Sequence, residues 1–494
     1  MTLPPKPMRS WSDRALFAAT LAFLFWLPLP WGSHRPWAAD LLVAVSAGLL
    51  ALRLALVAAG RAPVPHGLAR QLALPLLWWV LWLAWIGFQL WPMDAAVVAR
   101  WSPSSAQLYA TAAELLDTPP QMRLSIAPSQ TADAWLLSAG YCCLYVLIVL
   151  SCCGDRRRMG LVLGVVATAG LFQALYGSLM TLSGLEWGFF EAKQHYRRVA
   201  TGTFVNRNHL AGYLELAGAA ALGLILADLG SSGAQRSLRQ RALALIALLF
   251  STKMRARLAL IVMAIALVLT RSRMGNVAFV SSLCLCAMLF ILLRHRRYAL
   301  RAFALFASIV AIDILVVSNW YGLDRVIQRL EQTDLSSDSR AVFLRHAPPA
   351  IDAYWTTGAG LGTFAVAFAP YRSAELDPYF DHAHNDYIEF LIETGTVGCG
   401  LLAIFVLAHA LHALAILVRR RRRMAAAVAF AALMGMLAIA IHSTADFNLQ
   451  IPANAATLLV LMALSAGCSS SSRKRRRAAE PAPPPGATTV AEMA

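Results

Sequence analysis

The stretch "DHAHNDYIEFLIETGTVGCGLLAIFVLAHALHALAILV", residues 381 to 418, joins a polar motif directly to an apolar run. The apolar part has about 20 residues, the length that an α-helix needs to cross roughly 30 Å of hydrocarbon. The polar part holds two histidines and four carboxylates, which are His382, His384, Asp381, Asp386, Glu389 and Glu393. The stretch predicts a membrane helix with a polar site at its entrance.

The composition of the whole chain extends this prediction. Of its 494 residues, 59% are hydrophobic and 14% are charged, and the mean hydropathy is +0.58. A soluble domain of this length carries far less apolar sequence. The apolar runs are roughly 17 to 25 residues long and lack the alternation of outer-membrane strands. We therefore predict an all-α fold, a polytopic helical bundle in a membrane.

The apolar runs divide the chain into about twelve spans. They lie near 15–31, 38–60, 71–92, 132–153, 159–184, 209–228, 256–270, 276–293, 299–318, 396–418, 424–442 and 453–468. The first lacks a small-residue cleavage site, so we expect a retained helix and not a removed signal peptide. Residues 241–251 are too short to span. We predict one integral membrane domain over 1–468 and a disordered cytoplasmic tail over 469–494.

Basic residues alternate between the connections and so indicate the orientation. They are dense in every second connection, including the block at 419–423, and in the tail from Arg473. The positive-inside rule makes this side cytoplasmic. We expect both termini in the cytoplasm of a bacterial inner membrane and a large periplasmic loop, about 320–395, between spans 9 and 10. The net charge of +17 then reports topology and contact with anionic lipid, and it does not indicate nucleic-acid binding.

Several arginines break this rule by falling on the predicted periplasmic side. They are Arg197, Arg198, Arg207, Arg271, Arg273, Arg325, Arg329, Arg340, Arg345 and Arg372. An arginine is costly near a membrane unless it snorkels or meets an anion, and its planar fork suits phosphate. A phosphate-bearing ligand on this face would explain them. The alternative is that a chain so rich in arginine scatters some of them to both sides.

The polar motif itself allows three interpretations. The pattern H-x-H-x-D, formed by His382, His384 and Asp386, is found in metal-binding loops, although Tyr387 stands where such hydrolases continue with another histidine. Asp386, Glu389 and Glu393 form one stripe on a helix, and this stripe could simply pair with the outer arginines. His384, at the start of that helix, could accept a proton from a hydroxyl group.

The segment also fits a longer pattern, H-[NSQ]-x9-G-x-x-[GTY], at His384, Asn385, Gly395 and Gly398. This pattern is found in ligases of the O-antigen ligase and O-antigen polymerase family of bacterial inner-membrane glycosyltransferases, which the chain resembles over roughly 200–450. The stretches "TGTFVNRNHLAGYLE" (201–215), "TRSRMGN" (270–276) and "SSDSRAVFLRHA" (336–347) add to the resemblance. Met274 departs from it, because the family often has glycine there.

The resemblance implies transfer of a whole glycan from undecaprenyl diphosphate to an acceptor hydroxyl, with inversion at the anomeric carbon. The acceptor would be a glycan, lipid A-core or a protein. His384 would be the catalytic base, and Arg273, Arg340 and Arg207 would bind the donor diphosphate. Supporting residues would be Asn385, Asp386, Glu389, Gly395, Gly398, Asn206, Asn208 and His209. Neither a metal nor a cofactor is implied.

Two alternatives stay open at the level of sequence. Within the same family the chain could be a polymerase that joins lipid-linked repeats, although the histidine motif has the ligase form. In another class, it could be a flippase or transporter of lipid-linked glycans. Transporters place charges near the midplane and contain inverted repeats. This sequence gathers its charges on one face, which favours the transferase.

Overall fold

The structure is a computed structural model that describes residues 10–65, 67–116, 121–227, 252–293, 339–376, 380–419 and 422–468, with the isolated positions 303 and 307. Its described residues form helices and connections, with a single isolated bridge between Trp187 and Ala192 as the one β-type pairing among them. The prediction of an all-α fold is confirmed.

The described α-helices are numbered in chain order. They are α1 (Trp11–Trp26), α2 (Pro36–Ala58), α3 (Leu68–Leu90), α4 (Ala95–Trp101), α5 (Pro103–Leu115), α6 (Pro128–Cys152), α7 (Arg156–Ser183), α8 (Arg207–Ala227), α9 (Thr252–Leu269), α10 (Arg273–Leu292), α11 (Ser339–Tyr354), α12 (Phe364–Phe368), α13 (Asp386–Arg419), α14 (Arg423–His442) and α15 (Pro452–Ala466).

These helices support the predicted membrane bundle and leave the number of spans as a prediction. Among the described residues, 8 helices are long and apolar enough to cross a membrane. The predicted spans coincide with α1, α2, α3, α6, α7, α8, α9, α10, α13, α14 and α15. The span predicted at 299–318 falls, apart from two isolated positions, outside the described residues, as does the short segment 241–251.

Helix α8 lies at the centre of the bundle, packed against α7, α9, α10, α14 and α15. Within its most apolar stretch, 89% of the residues are buried. Small residues allow this, because they let neighbouring helices approach closely. Gly170 of α7 faces Ala217, and a Cβ added at Gly170 would lie 2.2 Å from the Cβ of Ala217. The central position of α8 fixes the direction of its first turn.

The connections form two polar ends. At one end, Gly154 donates its backbone N–H to Gly467, and this end also carries Arg156, Arg422 and Arg423. At the other end, Thr203 donates from Oγ1 to the carbonyl of Pro28 over 2.7 Å, and Asp386 donates its backbone N–H to Ser443. We call the second end the site end, comprising residues 27–35, 184–207, 270–273, 339–376, 380–386 and 443–451. The sequence motifs that carry the family resemblance meet there.

Candidate active site

Helix α13 begins at Asp386, ten residues before the predicted span, because Asn385 caps it. The side-chain oxygen of Asn385 accepts hydrogen bonds from the backbone N–H of Tyr387 (3.0 Å) and of Ile388 (3.2 Å). Its Nδ2 donates to the carbonyl of Thr444 over 3.0 Å, which ties the start of α13 to the connection after α14. The motif asparagine therefore positions the residue before it, His384.

The two motif glycines shape α13 about two and a half turns after its start. Gly395 has φ 64° and ψ −174°, which kinks the helix. The kink frees the carbonyl of Glu393, which accepts the backbone N–H of Gly360 over 2.9 Å. Side chains are excluded at both glycines: a Cβ at Gly395 would lie 2.2 Å from the carbonyl oxygen of Thr356, and one at Gly398 would lie 2.3 Å from the Thr394 side chain. These glycines allow the backbone to approach closely.

The run Gly358, Gly360 and Gly362 meets the kink of α13. All three have positive φ, at 73°, 107° and 83°. Gln89 of α3 fixes this crossing, because its Nε2 donates to the carbonyls of Thr357 (2.8 Å) and Glu393 (2.9 Å). The described part of the predicted loop is thus anchored on α3 and α13.

The site is centred on Asp446, in the connection between α14 and α15. Its side chain is 1% exposed, and one carboxylate oxygen lies 3.2 Å from Nη2 of Arg340. The other oxygen lies 3.8 Å from Nε2 of His209 and 3.9 Å from Nδ1 of His384. Burial alone would raise the pKa of Asp446, but His384, His209 and His442 outweigh burial and hold that pKa below its usual range. Asp446 is therefore a carboxylate.

Phe447 brings three histidines together beside Asp446. Its ring stacks on His382, with centroids 4.2 Å apart, and it meets the rings of His209 and His384 edge-on at 4.6 and 4.9 Å. His384 itself has φ 48°, a backbone conformation that is costly for a residue with a side chain. Such strain is typical of functional sites. The structure thus joins α8, α13 and the connection after α14 around one aromatic side chain.

The three predicted phosphate-binding arginines lie at the site end. Arg340, at the start of α11, pairs with Asp446, and its side chain is 36% exposed. Arg207 lies over the ring of Tyr196, with 5.8 Å between Cζ and the ring centroid. Burial and the charge of Asp446 raise the pKa of Tyr196, while Arg207 and Arg340 lower it, so these groups share one electrostatic environment. Arg273 is exposed at the first turn of α10.

The supporting residues from 206 to 209 divide between capping and burial. Asn206 accepts the backbone N–H of Asn208 with its side-chain oxygen over 2.9 Å, at the start of α8. Asn208 and His209 are buried. The carbonyl of His209 accepts Nδ2 of Asn454 over 3.0 Å, which fixes the first turn of α8 against α15. His209 is the member of this group that reaches the carboxylate of Asp446.

The acidic stripe of α13 does not pair with arginine among the described residues, so that interpretation is wrong for this part of the chain. Asp386 accepts from Ser443 Oγ over 2.5 Å and from the backbone N–H of Leu449. Glu389 pairs with Nδ1 of His382 at 2.7 Å, and Glu393 accepts the backbone N–H of Phe364 over 3.0 Å. The carboxylates hold α13 against the surrounding connections.

The same contacts argue against the H-x-H-x-D metal interpretation. His382 faces Glu389, His384 faces Asp446, and one oxygen of Asp386 accepts from Ser443 and from a backbone amide. The three side chains have three different partners. Among the residues that the structure describes, no group of three or more His, Cys, Asp or Glu side chains is arranged to hold a metal ion.

Asp446 and Phe447 are absent from the residues that sequence reasoning selected. They lie in "HSTADFNLQIPAN", residues 442–454, a strongly polar segment between two apolar runs. The polarity of this segment could have indicated a functional site, because a connection this short needs few polar residues to turn between helices. Gln89 gave a similar signal, being an amide near the end of an apolar span.

Comparison with known families supports the predicted resemblance. Residues 258–403 match the sequence model of the family described as O-antigen ligase. The matched segment includes Arg273, Arg340, His384 and both motif glycines, and it ends before Asp446. No curated protein matches the chain. The match confirms that the segment carrying the histidine motif belongs to the O-antigen ligase and polymerase family.

Proposed function

We propose that this membrane protein is an O-antigen ligase-like glycosyltransferase. It would move a glycan from undecaprenyl diphosphate to an acceptor hydroxyl at the periplasmic face, in surface polysaccharide biosynthesis. The observation that carries the proposal is the convergence of His384 and Arg340 on the carboxylate of Asp446. This convergence places His384, a base that can accept a proton, close to Arg340, a cation that can bind diphosphate.

The reaction forms one bond and breaks another at the anomeric carbon. The acceptor oxygen attacks this carbon from the side opposite the diphosphate, so its configuration inverts. The bond from the anomeric carbon to the phosphate oxygen breaks, and the electron pair leaves with the diphosphate. The proton of the hydroxyl passes to His384. Because Nδ1 of His384 faces Asp446, Nε2 is the nitrogen that would meet the hydroxyl.

Asp446 supports this step by its charge. As His384 takes up the proton it becomes cationic, and a buried carboxylate 3.9 Å away stabilises that cation. The long distance leaves room for the imidazole and the carboxylate to approach each other during the reaction. Asp446 is therefore a positioning residue in this scheme, and His384 is the catalytic residue.

The arginines would stabilise the leaving group. Diphosphate gains negative charge as it departs, and fixed guanidinium groups stabilise this charge. Arg340 and Arg207 lie within the electrostatic environment of Asp446, and Arg273 lies at the same end. No metal or soluble nucleotide sugar takes part in the proposed reaction.

A deletion strain tests the function and separates ligase from polymerase. Surface polysaccharide and its lipid-linked precursors would be compared with those of the parent strain. We expect full-length chains to accumulate on the lipid carrier, as loss of a ligase requires. Single repeats on the carrier would indicate the polymerase alternative, and unchanged surface polysaccharide would contradict both. Lipid-linked glycan trapped in the cytoplasmic leaflet would indicate the flippase alternative.

The orientation needs its own test, because the donor glycan must be on the same side as His384. Single cysteines at Arg197 and Arg156, in a chain without its natural cysteines, would be labelled in intact cells with a reagent that does not cross the inner membrane. We expect labelling at Arg197, in the site end, and protection at Arg156, at the opposite end. The reverse pattern would place the site on the wrong face.

A further inference from the structure

His382 lies at the site but outside the family motif. Its Nδ1 is 2.7 Å from Oε1 of Glu389, and its ring stacks on Phe447 at 4.2 Å with an interplanar angle of 13°. Glu389 is in turn fixed by the backbone N–H of Ala383, which donates to Oε2 over 2.8 Å. The imidazole is thus held on one edge and on one face.

The remaining edge of His382 is the part that a ligand can reach. The side chain of His382 is 19% exposed, whereas that of Glu389 is 1% exposed. Because Nδ1 is occupied, Nε2 is the nitrogen available for a ligand. Phe447 also contacts His384, so both imidazoles lie beside the same side chain. A substrate in contact with His384 would lie close to His382.

The charges around His382 favour its cationic form. Burial lowers the pKa of His382, but Glu389, through its charge and its hydrogen bond, outweighs burial together with Asp381 and Glu393 and raises the pKa to about 9. His34, in the connection before α2, has its ring centroid 6.2 Å from that of His382 and adds a titratable neighbour. His209 and His384 face it across Phe447. At neutral pH His382 is an imidazolium.

We propose that His382 is a further substrate-contacting residue of this site, a fixed cation that donates a hydrogen bond from Nε2 to the leaving diphosphate. The inference rests on the proposed function and assigns to His382 a role that the family motif does not. The acceptor proton still passes to His384. His382 keeps its own proton and neutralises part of the charge that the phosphate oxygen gains as the anomeric bond breaks.

The proposal gives a defined pH dependence. A cationic His382 is present below its pKa and is lost as pH rises through that value. The kcat/KM of transfer, which reports groups of the free enzyme, should therefore fall on the alkaline side near pH 9. Glu389→Gln removes the charge and keeps one of the two accepting oxygens, which can serve either Nδ1 of His382 or the backbone N–H of Ala383. Its alkaline limb should move down by about one pH unit or more.

The experiment measures kcat/KM against pH for the full-length protein in detergent or nanodiscs, with purified lipid-linked donor. The variants are Glu389→Gln, His382→Gln and His382→Arg, and the control is His346→Gln. His346 lies on α11, and its Nδ1 is hydrogen-bonded within that helix to the carbonyl of Val342. His382→Gln should lose about tenfold or more at neutral pH. His382→Arg should recover part of this loss and show no alkaline limb near pH 9.

Each outcome bears on one of the two proposals. Wild-type transfer that depends on His384, with an unchanged alkaline limb in Glu389→Gln, would overturn the role of His382 and leave the function intact. Equal losses in His382→Gln and His382→Arg at every pH would also overturn it, since a structural role predicts no rescue by charge. A wild-type protein that transfers no glycan from the lipid-linked donor would contradict the proposed function itself.

Discussion

Two clusters of buried charge, one at each end of the bundle, are both built around an aspartate, and they differ in how completely that aspartate is paired. At the end opposite the site, Asp13 of α1 pairs with Arg53 of α2 and with Arg158 of α7, at 2.5 Å for the latter. All three side chains are 5% exposed or less. The site end has Asp446, with one arginine at 3.2 Å and two histidines near 4 Å.

The arginines of the first cluster also donate to backbone carbonyls. Nη2 of Arg53 donates to the carbonyls of Pro63 (3.0 Å) and Leu150 (3.1 Å). Arg158 donates to the carbonyl of Ser151 over 3.2 Å and lies over the ring of Phe17. This cluster joins α1, α2, α6 and α7, and its charged side chains are almost completely buried. The cluster around Asp446 is open on the side of Arg340. A closed cluster contributes to the structure, whereas an open one can bind and react.

The largest expected effect of a single change is at His384. His384→Ala should abolish transfer, because it removes the group that accepts the hydroxyl proton, while the protein stays folded and abundant. Transfer from lipid-linked donor would be measured at matched expression, with His346→Ala as the control on α11. Full activity in His384→Ala would contradict the assignment of His384 as the catalytic base. It would indicate that the cluster around Asp446, like the cluster around Asp13, has only a structural role.

The next effect concerns the arginines of the site end. Arg340→Lys and Arg273→Lys keep the charge but lose the planar fork that matches phosphate. Losing a bidentate charge-assisted contact with the bound diphosphate costs about 2 to 4 kcal/mol, or roughly 30-fold to 1,000-fold in rate. Initial rates of transfer, with and without EDTA, would be compared for each variant.

Arg345→Lys is the matched control for the arginines. Arg345 lies on α11 with Arg340 and pairs loosely, at 3.8 Å, with an exposed glutamate, Glu375. We expect the variant to retain nearly full activity, and we expect chelation to change none of the rates. Loss of activity on chelation that added divalent ions restore would instead support the metal interpretation of H-x-H-x-D.

The sequence predicted the helices and the motif residues because both are encoded locally. Span lengths follow from runs of apolar residues, and His384 with its asparagine and glycines follows from one short pattern. Asp446 could not be predicted in this way, because its partners come from α8, α11 and the turn before α13, far apart in the chain. The pairing of Glu389 with His382 and not with an arginine depends equally on the turn before α13.

A smaller effect is expected at Asp446 itself. Asp446→Asn keeps the shape of the side chain and removes the charge that stabilises a cationic His384. A hydrogen bond or ion pair to a charged group is worth about 1.5 to 3 kcal/mol, so transfer should fall by roughly 10-fold to 150-fold. The melting temperature in detergent should change little, because Arg340 is partly exposed and can be hydrated. If Asp446→Asn instead lowers the melting temperature strongly and leaves transfer normal, Asp446 has a structural role and no role in the reaction.

Asp13→Asn should have the opposite profile and the smallest effect on transfer. Removing the charge leaves Arg53 and Arg158 buried with neither carboxylate oxygen to neutralise them, and breaking a buried ion pair costs about 3 to 5 kcal/mol of stability. The melting temperature should therefore fall clearly, while transfer per folded molecule stays within about twofold of wild type, since a closed cluster at the far end has no part in the reaction.

Replacing the whole cluster, with Asp13→Leu, Arg53→Met and Arg158→Met together, removes the buried charges as well as their pairing, so it should recover much of the lost stability. Thermal unfolding and transfer, measured on the same purified samples, would check both variants. Reduced transfer per folded molecule in the triple variant would show that the two ends are coupled, and the contrast between a closed and an open cluster would then fail.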